Sequence, residues 1–330
     1  MPGERLVAVS YPVGDDFIKA TTGVLEGEAR LAFLAGLPGR ERLAALRQAE
    51  ALLTWNLARE LPPGALLDAP RLRFVQLLSA GADMIDFREV PERLTLAGNV
   101  GAYAEPIAEH VLAMTLALAR RLPQRHAALA RGEWQQEAPL LTLAGKVCAI
   151  LGYGGIGRAT AQLMRALGMR IHAVNSSGAV TGPVEFAGTL ADLDRVLAAA
   201  GVLVIALPLT VTTRGLLGAR ELALMKPDAI LVNIARAAIV DERALYEHLR
   251  DNPEFGAGID VWWAEPGPRG GLRTGYPFFS LANLIGSPHN SGTVPGVLAH
   301  AAREAAANVR RYLRGEPVTG VMRRADYLRP

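Results

Sequence analysis

Three side chains in the second half of the sequence could together perform anion binding and proton transfer: Arg236, Glu265 and His289. An arginine guanidinium is a planar fork that holds a carboxylate and polarises a neighbouring carbonyl oxygen. A protonated imidazole can donate its proton to an oxygen that gains negative charge, and a carboxylate bonded to the ring favours that protonated form. The set therefore suits hydride addition to a 2-keto acid, in which a carboxylate lies beside the carbonyl that is reduced.

Each of these residues comes directly after a predicted strand. The three strands are, in order, Ile230–Ile234, Gly258–Val261 and Leu284–Gly286. Ligands of open parallel sheets bind at the carboxyl ends of strands, so the three side chains are expected at one edge of a sheet. Taken singly, each residue has an ordinary alternative, namely a surface ion pair for the arginine, a loop start for Glu-Pro and a turn for Pro-His. Their joint placement after a nucleotide-binding motif favours the catalytic interpretation.

That motif is a glycine-rich segment between a predicted strand, Val147–Leu151, and a predicted helix, Arg158–Leu167. Its first glycine permits a tight turn, its second lets the backbone approach a pyrophosphate, and its third lets helix and strand pack closely. The N-terminus of the helix supplies open N–H groups for the phosphates. The motif residues assigned to cofactor binding are Gly152, Gly154, Gly155, Ile156 and Gly157.

The ribose position, at the end of the next predicted strand, reads Asn175-Ser176-Ser177. Sites specific for NAD usually have Asp or Glu here, which accepts from the ribose 2′-hydroxyl and repels a 2′-phosphate. Asn and Ser can donate to a phosphate, although no arginine follows at once. We predict NAD or NADP as cofactor, with NADPH accepted and its preference over NADH left open. The alternative is a site that binds NADH without strict selection.

Strands alternate with helices along almost the whole chain, which predicts an α/β fold with parallel sheets. The 330 residues suffice for two domains, and half are hydrophobic. A net charge of +3 gives no reason to expect nucleic acid, and the longest apolar run, of about twelve residues, is too short to cross a membrane. Cys148 is the single cysteine, which excludes an internal disulfide and a cysteine-based zinc cluster, and no metal site is expected. Without a signal-peptide pattern at the N-terminus, we expect a cytoplasmic protein.

Motifs spread over nearly the whole chain resemble the D-isomer-specific 2-hydroxy-acid dehydrogenase family. In that family the arginine, glutamate and histidine have the roles argued above. The resemblance implies two Rossmann-like, doubly wound parallel-sheet domains with a cleft between them, and usually a homodimer joined through the nucleotide domain. Residues 1–99 plus 290–330 would form the substrate domain and 100–289 the dinucleotide domain. The matching segments are 143–146, 152–157, 207–210, 213–216, 233–236, 240–242, 258–261, 265–266 and 288–289.

Further site residues are assigned through this resemblance. The segment matching Pro208–Thr213 lies beside the nicotinamide in the family, and the residue matching Asp260 contacts the carboxamide. The loop matching 78–83 holds the substrate carboxylate through backbone N–H groups. Cofactor contacts are thereby expected at Leu207, Pro208, Thr213, Ala235 and Asp260, and substrate contacts at Trp55, Ala80, Gly81 and Arg236. For Trp55, a place in the core is the open alternative.

The resemblance leaves the substrate undecided. Glyoxylate or hydroxypyruvate is favoured by the cofactor interpretation and by the small loop residues Ala80 and Ala82. Phosphite, phosphoglycerate, D-lactate and aromatic 2-hydroxy acids are alternatives on the same scaffold, as is a binding protein of the corepressor type that senses NAD(H). Glu265 argues against formate dehydrogenases of the superfamily, which carry glutamine there. Departures from the family pattern are Ala237-Ala238, Trp262-Trp263 and Asn290.

Overall fold

Short apolar runs separated by amphipathic segments build two parallel β-sheets, which confirms the predicted α/β fold. The structure is a computed structural model that describes residues 5–11, 14–137, 139–266 and 270–328. The chain divides into two compact units. The terminal unit comprises Met1–Tyr103 and Val294–Pro330, and the central unit comprises Ala104–Thr293.

The terminal unit contains a sheet of five parallel strands within the described residues, in the order β2-β1-β3-β4-β5. The strands are β1 (Leu6–Val9), β2 (Arg30–Phe33), β3 (Ala51–Thr54), β4 (Phe74–Leu77) and β5 (Thr95–Ala97). The helices are α1 (Asp15–Leu25), α2 (Gly39–Gln48), α3 (Leu57–Glu60) and, from the C-terminal segment, α10 (Val297–Leu313). Short 3₁₀ turns occur at Leu34–Gly36 and Arg324–Asp326.

Both faces of this sheet are covered, so its strands are buried. On one face, α1 and α10 pack against β1 and β4 through a cluster that includes Val9, Phe17, Phe74 and Val309. The ring of Phe74 also stacks on that of Tyr312, with centroids 4.7 Å apart. The other face packs against α2 and the long segment that follows α3. The C-terminal helix is therefore part of the core of the N-terminal sheet.

The central unit contains a sheet of seven parallel strands within the described residues, in the order β12-β11-β10-β9-β6-β7-β8. The strands are β6 (Val147–Leu151), β7 (Arg170–Val174), β8 (Phe186–Gly188), β9 (Ala200–Ile205), β10 (Ile230–Asn233), β11 (Gly256–Ile259) and β12 (Leu284–Gly286). The helices are α4 (Ala104–Ala119), α5 (Leu122–Ala130), α6 (Gly155–Ala166), α7 (Leu193–Ala199), α8 (Ala219–Ala223) and α9 (Glu242–Asp251). Short 3₁₀ turns occur at Leu190–Asp192, Ala237–Ile239 and Phe278–Ser280.

Two apolar layers enclose this sheet, with α4 and α6 on one face and α7, α8 and α9 on the other. β6 and β9 are neighbours, and the chain moves away from them in opposite directions. Ligands of doubly wound sheets bind at this switch point. Cys148, the second residue of β6, is fully buried, and burial raises the pKa of its thiol to about 12.

The apolar spacing of residues 107–118 predicts one helix from about Glu105 to Leu122, with Pro123 marking its end, and this prediction is wrong at the C-terminal end. The helix ends at Ala119, and the chain turns at Arg121, whose φ of 49° lies in the left-handed region. Pro123 then lies in the first turn of α5, where its missing N–H costs little, instead of marking an end. The sequence prediction also lacked α1, β5 and β8, which are short or weakly patterned.

Among the described residues, no helix combines the length and the apolar character that a membrane span requires.

Asn308, a buried polar residue of α10, connects this helix to β4 and to the segment that follows α10. Asn308 donates to Gln76 Oε1 (2.7 Å) and to the Thr319 carbonyl (2.9 Å), and it accepts from the Thr319 N–H (2.9 Å). We expect Asn308→Leu to lower the free energy of unfolding by about 2–3 kcal/mol, because buried partners lose their hydrogen bonds. Urea unfolding checks this against Glu304→Leu, an exposed position on the same helix that should change stability by less than about 0.5 kcal/mol. Equal effects of the two variants would contradict it.

Candidate active site

The glycine-rich segment forms a tight turn between β6 and α6, and α6 begins inside the motif at Gly155. Gly152 has a φ of 98°, and a Cβ there would lie 2.4 Å from the Ala206 carbonyl oxygen. A Cβ on Gly157 would lie 2.2 Å from the Gly152 carbonyl oxygen. Both positions therefore require glycine, the first for its backbone angle and its approach to the segment after β9, the second for helix–strand packing.

The residues around the turn fit a dinucleotide pyrophosphate. Gly154 is exposed, and a Cβ there would meet no atom within 4 Å, so the space beside the turn is open. Gly154 precedes α6 without a side-chain cap, which leaves the first N–H groups of the helix for a ligand. An anion at this position is favoured by these donors and by the helix dipole.

The ribose position is a turn that begins at Asn175, and the side chain of Asn175 makes hydrogen bonds to the backbone of that turn. Asn175 Oδ1 accepts from the N–H groups of Ser177 (3.0 Å) and Gly178 (2.7 Å), and its Nδ2 donates to the Ala179 carbonyl (2.8 Å). Ser176 and Ser177 are exposed at the tip of the turn. The Asn175 amide is engaged locally, and so is the Ser177 hydroxyl, which donates to Asn175 Oδ1 at 3.1 Å. The exposed serine side chain without such a bond among the described residues is that of Ser176.

The segment after β9 is a second turn beside the glycine-rich one. Thr213 Oγ1 donates to the Pro208 carbonyl (2.7 Å) and accepts from the Thr210 N–H (2.8 Å), and Thr213 is buried. Ala206 N–H bonds to the Leu151 carbonyl at 2.7 Å, which ties this turn to the end of β6. The buried Thr213 hydroxyl thus stabilises the turn by bonding to its backbone. Leu207 is half-buried and Pro208 is exposed.

Arg236 extends from the loop after β10, and a buried asparagine shapes that loop. Asn233 Oδ1 accepts from the Ala235 N–H (3.1 Å), and its Nδ2 donates to the Arg236 carbonyl (3.0 Å). The Arg236 guanidinium donates to the Ala235 carbonyl at 2.7 Å and is half-buried. Asn233 escaped the sequence prediction, although a polar residue at the end of an apolar strand is the signal that could have revealed it.

Glu265 and His289 form the predicted pair. His289 Nδ1 lies 2.8 Å from Glu265 Oε2, and the other carboxylate oxygen accepts from the Trp262 N–H at 3.2 Å. Burial raises the pKa of Glu265, but the bonds from His289 and Trp262 and the positive charge of Arg236 outweigh it, so the pKa is lowered. The carboxylate therefore stays ionised below the usual titration range of a glutamate. It can hold the imidazole by Nδ1 and leave Nε2 to face a reactant.

His289 has an uncommon backbone conformation, with a φ of 51°. A non-glycine residue in the left-handed region costs about 1 kcal/mol and persists where its surroundings hold it. The residues after it are held by Asp260, whose Oδ1 accepts from the Asn290 N–H (3.1 Å) and whose Oδ2 accepts from the Ser291 N–H (3.2 Å). Asp260 is fully buried; burial raises its pKa, but the bonds from Ser287, Ser291 and Asn290 outweigh this and lower it.

The tryptophan pair that departs from the family pattern supports the loops. Trp262 Nε1 donates to the Ser287 carbonyl (2.8 Å), and Trp263 Nε1 donates to the Val240 carbonyl (2.9 Å). Trp262 is 6% exposed, and Trp263 stacks on Phe278. Both indoles therefore bridge neighbouring loops at the edge of the sheet.

Apart from Arg236, the predicted substrate residues lie in the terminal unit, at the carboxyl ends of β3 and β4. Trp55 is 46% exposed, so it is not a core aromatic. Its backbone N–H donates to the Glu60 carboxylate. Ala80 is exposed and Gly81 half-buried in the loop after β4. Within the described residues, the N–H groups of Ala80 and Gly81 have no acceptor. Such a pair of open donors fits a carboxylate ligand.

Glu60 was also missed by the sequence prediction. Its carboxylate accepts from the Ser10 hydroxyl (2.6 Å), the Thr54 hydroxyl (2.7 Å) and the Asn56 N–H (2.7 Å), which joins the ends of β1 and β3. The separation of 50 residues between Ser10 and Glu60 leaves no local signal for this contact.

Comparisons with known proteins agree with this architecture. The family profile described as "D-isomer specific 2-hydroxyacid dehydrogenase, NAD binding domain" matches residues 112–291. A D-isomer specific 2-hydroxyacid dehydrogenase from Xanthobacter autotrophicus Py2, solved with NADPH and MES, is 28% identical with a TM-score of 0.77, covering 97% of this chain and 98% of that one.

Curated relatives include glyoxylate reductases and D-3-phosphoglycerate dehydrogenases. A glyoxylate reductase from Thermococcus gammatolerans is 33% identical over 290 residues, which are 85% of this chain and 84% of that protein. A D-3-phosphoglycerate dehydrogenase from Methanocaldococcus jannaschii is 29% identical over 323 residues, which are 96% of this chain but only 59% of that longer protein. The chain belongs to the D-isomer specific 2-hydroxyacid dehydrogenase family, and it is an oxidoreductase that acts on the CH–OH group of its donors and uses a nicotinamide cofactor.

Proposed function

We propose that the protein reduces glyoxylate or hydroxypyruvate with NADPH or NADH. The observation that carries this proposal is the contact of 2.8 Å between Glu265 and His289, at the carboxyl ends of the strands that follow the nucleotide-binding turn. The small, exposed Ala80 in the loop after β4 suits a small acid, whereas Ala82 is buried in the core. The glyoxylate reductase among the relatives agrees with this proposal.

A nicotinamide cofactor, when bound at the glycine-rich turn, would supply the hydride that the substrate carbonyl carbon accepts. Arg236 holds the substrate carboxylate and polarises the carbonyl oxygen. His289 donates the proton that this oxygen takes up, and the ionised Glu265 keeps the ring oriented through Nδ1. For the open N–H groups of Ala80 and Gly81 we propose the role of carboxylate donors. We propose that Trp55 lies beside the substrate. We propose that residues 1–99 with 290–330 form the substrate domain and that residues 100–289 form the dinucleotide domain. The residues proposed to contact the cofactor are Leu207, Pro208, Thr213, Ala235 and Asp260.

His289→Ala should lower kcat for keto-acid reduction by at least about a hundredfold, since general acid catalysis contributes roughly 10²–10⁴. Cofactor affinity should change little, because the side chain acts on the substrate. Steady-state kinetics with glyoxylate, hydroxypyruvate, pyruvate, phenylpyruvate, 3-phosphohydroxypyruvate and phosphite measures both activity and preference. His300→Ala, an exposed histidine on α10, is the matched control.

The same panel separates the alternatives. Preference for the phosphorylated acid, for phosphite, for pyruvate or for phenylpyruvate would replace the proposed substrate. Absence of turnover with every compound, together with tight NAD(H) binding, would favour a sensor of the corepressor type. A kcat of His289→Ala within a few fold of the wild type would contradict the assignment of the acid.

For the cofactor we propose that NADPH is accepted. Asn175→Asp should reduce kcat/KM for NADPH by about tenfold or more and leave NADH less affected, because a carboxylate repels a 2′-phosphate and accepts from a 2′-hydroxyl. The aspartate keeps the oxygen that caps the turn, so the loop should persist. Asp194→Asn, a charge change at an exposed residue of α7, is the control. A hundredfold preference of the wild type for NADH would contradict the proposal.

We further propose a cytoplasmic homodimer joined through the central unit. Four large apolar side chains of α5 and the segment after it are exposed, which favours a partner surface. They are Leu122 (55%), Leu129 (56%), Trp134 (77%) and Leu140 (42%).

Light scattering coupled to gel filtration should give the mass of two chains for the wild type, and Trp134→Glu should shift the protein towards one chain, because a charge would be buried in the interface. Leu67→Glu, at an exposed leucine of the terminal unit, should remain dimeric. A monomeric wild type would contradict the proposed assembly.

A further inference from the structure

The loop that carries His289 is fixed on both sides of that residue by one buried carboxylate. Asp260 binds the backbone of Asn290 and Ser291 on the C-terminal side. On the N-terminal side, the Ser287 hydroxyl donates to Asp260 Oδ1 at 2.5 Å. The His289 side chain is itself 43% exposed, so packing does little to hold it. Its position depends on these backbone and hydroxyl contacts and on Glu265.

A second histidine extends this network to α4. His110 Nε2 lies 2.9 Å from Ser287 Oγ and 3.9 Å from Asp260 Oδ1. An ionised carboxylate only accepts hydrogen bonds, so the single proton of the Ser287 hydroxyl points to Asp260. Ser287 Oγ must then accept from His110, and His110 Nε2 must carry a hydrogen. The hydrogen bonds therefore run from His110 as donor to Ser287, and from Ser287 as donor to Asp260.

We propose that His110 and Ser287 are positioning residues for the acid His289, acting through Asp260. His110 lies 179 positions before His289 in the chain (289 − 110), and α4 packs on the sheet beside β11 and β12. The bond from His110 orients the Ser287 hydroxyl, which in turn orients the carboxylate that holds the backbone around His289. Misplacement of a reacting group by about 1 Å can cost about a hundredfold in rate. This inference rests on the proposed role of His289.

The test is a double-mutant cycle with conservative rescue. His110→Ala and Ser287→Ala should each lower kcat by about tenfold. The double variant should be no slower than Ser287→Ala alone, because His110 acts only through Ser287. His110→Gln and Ser287→Thr should recover kcat to within about threefold, since each keeps the required donor. His126→Ala, at an exposed histidine of the same unit, should match the wild type.

A readout without turnover keeps the inference separate from the proposed function. With six histidines in the chain, ¹⁵N-histidine NMR of the protein without substrate is assignable through single variants. The His289 signals should broaden or double in His110→Ala and return to the wild-type pattern in His110→Gln.

The inference is overturned if the losses of the single variants multiply in the double variant. It is also overturned if His110→Ala keeps kcat within twofold of the wild type, if the glutamine variant fails to rescue, or if the His289 signals stay unchanged. If the wild type has no turnover, the proposed function fails while the NMR comparison still decides the positioning role.

Discussion

The hydrogen bonds that the buried Asp260 carboxylate accepts are the constraint on which the candidate site depends. A carboxylate without solvent contact is stable only where donors surround it, and here the donors come from the loop that carries His289. The hydrogen bonds that satisfy the buried Asp260 are therefore also contacts that hold the loop on both sides of His289, whose φ is 51°. The partly exposed His289 side chain thus depends for its position on a neighbour that is fully buried.

Hydrogen bonds from other side chains stabilise the remaining loops around the site in the same way. Asn233 holds the loop of Arg236, Thr213 holds the turn after β9, and the Trp262 indole bridges to the Ser287 carbonyl. These polar groups lie at the carboxyl ends of neighbouring parallel strands, where the backbone leaves the sheet and its hydrogen bonds need new partners. Groups that act on a ligand can then remain partly open, because their loops are fixed by residues beneath them.

Close backbone contact at the switch point of the sheet imposes the second constraint. The approach of Gly152 to Ala206 brings the nucleotide-binding turn against the segment after β9, and Gly157 lets α6 pack on β6. A side chain at either position would collide with backbone, which cannot move away as a flexible side chain can. The same contacts that permit a pyrophosphate to approach also determine the packing of the central unit.

Much of this architecture could be predicted from the sequence, because its signals are local. The apolar runs of β6, β9 and β10, the glycine spacing at 152–157 and the order of Arg236, Glu265 and His289 depend on residues near one another in the chain. The absence of a carboxylate at Asn175 is likewise visible in the sequence. These features determine the α/β class, the family and the reaction type.

Tertiary structure decided the rest, because contacts between distant residues leave no periodicity. The Asn308 bond to Gln76 joins residues 232 positions apart, and the His110 contact with Ser287 joins residues 177 apart. The end of α4 at Ala119 follows from the turn at Arg121, which propensity alone did not indicate. The sequence by itself determined the candidate side chains and the chemistry they suit, and only the fold decided which buried groups hold them, since hydrogen-bond partners are set by position in space.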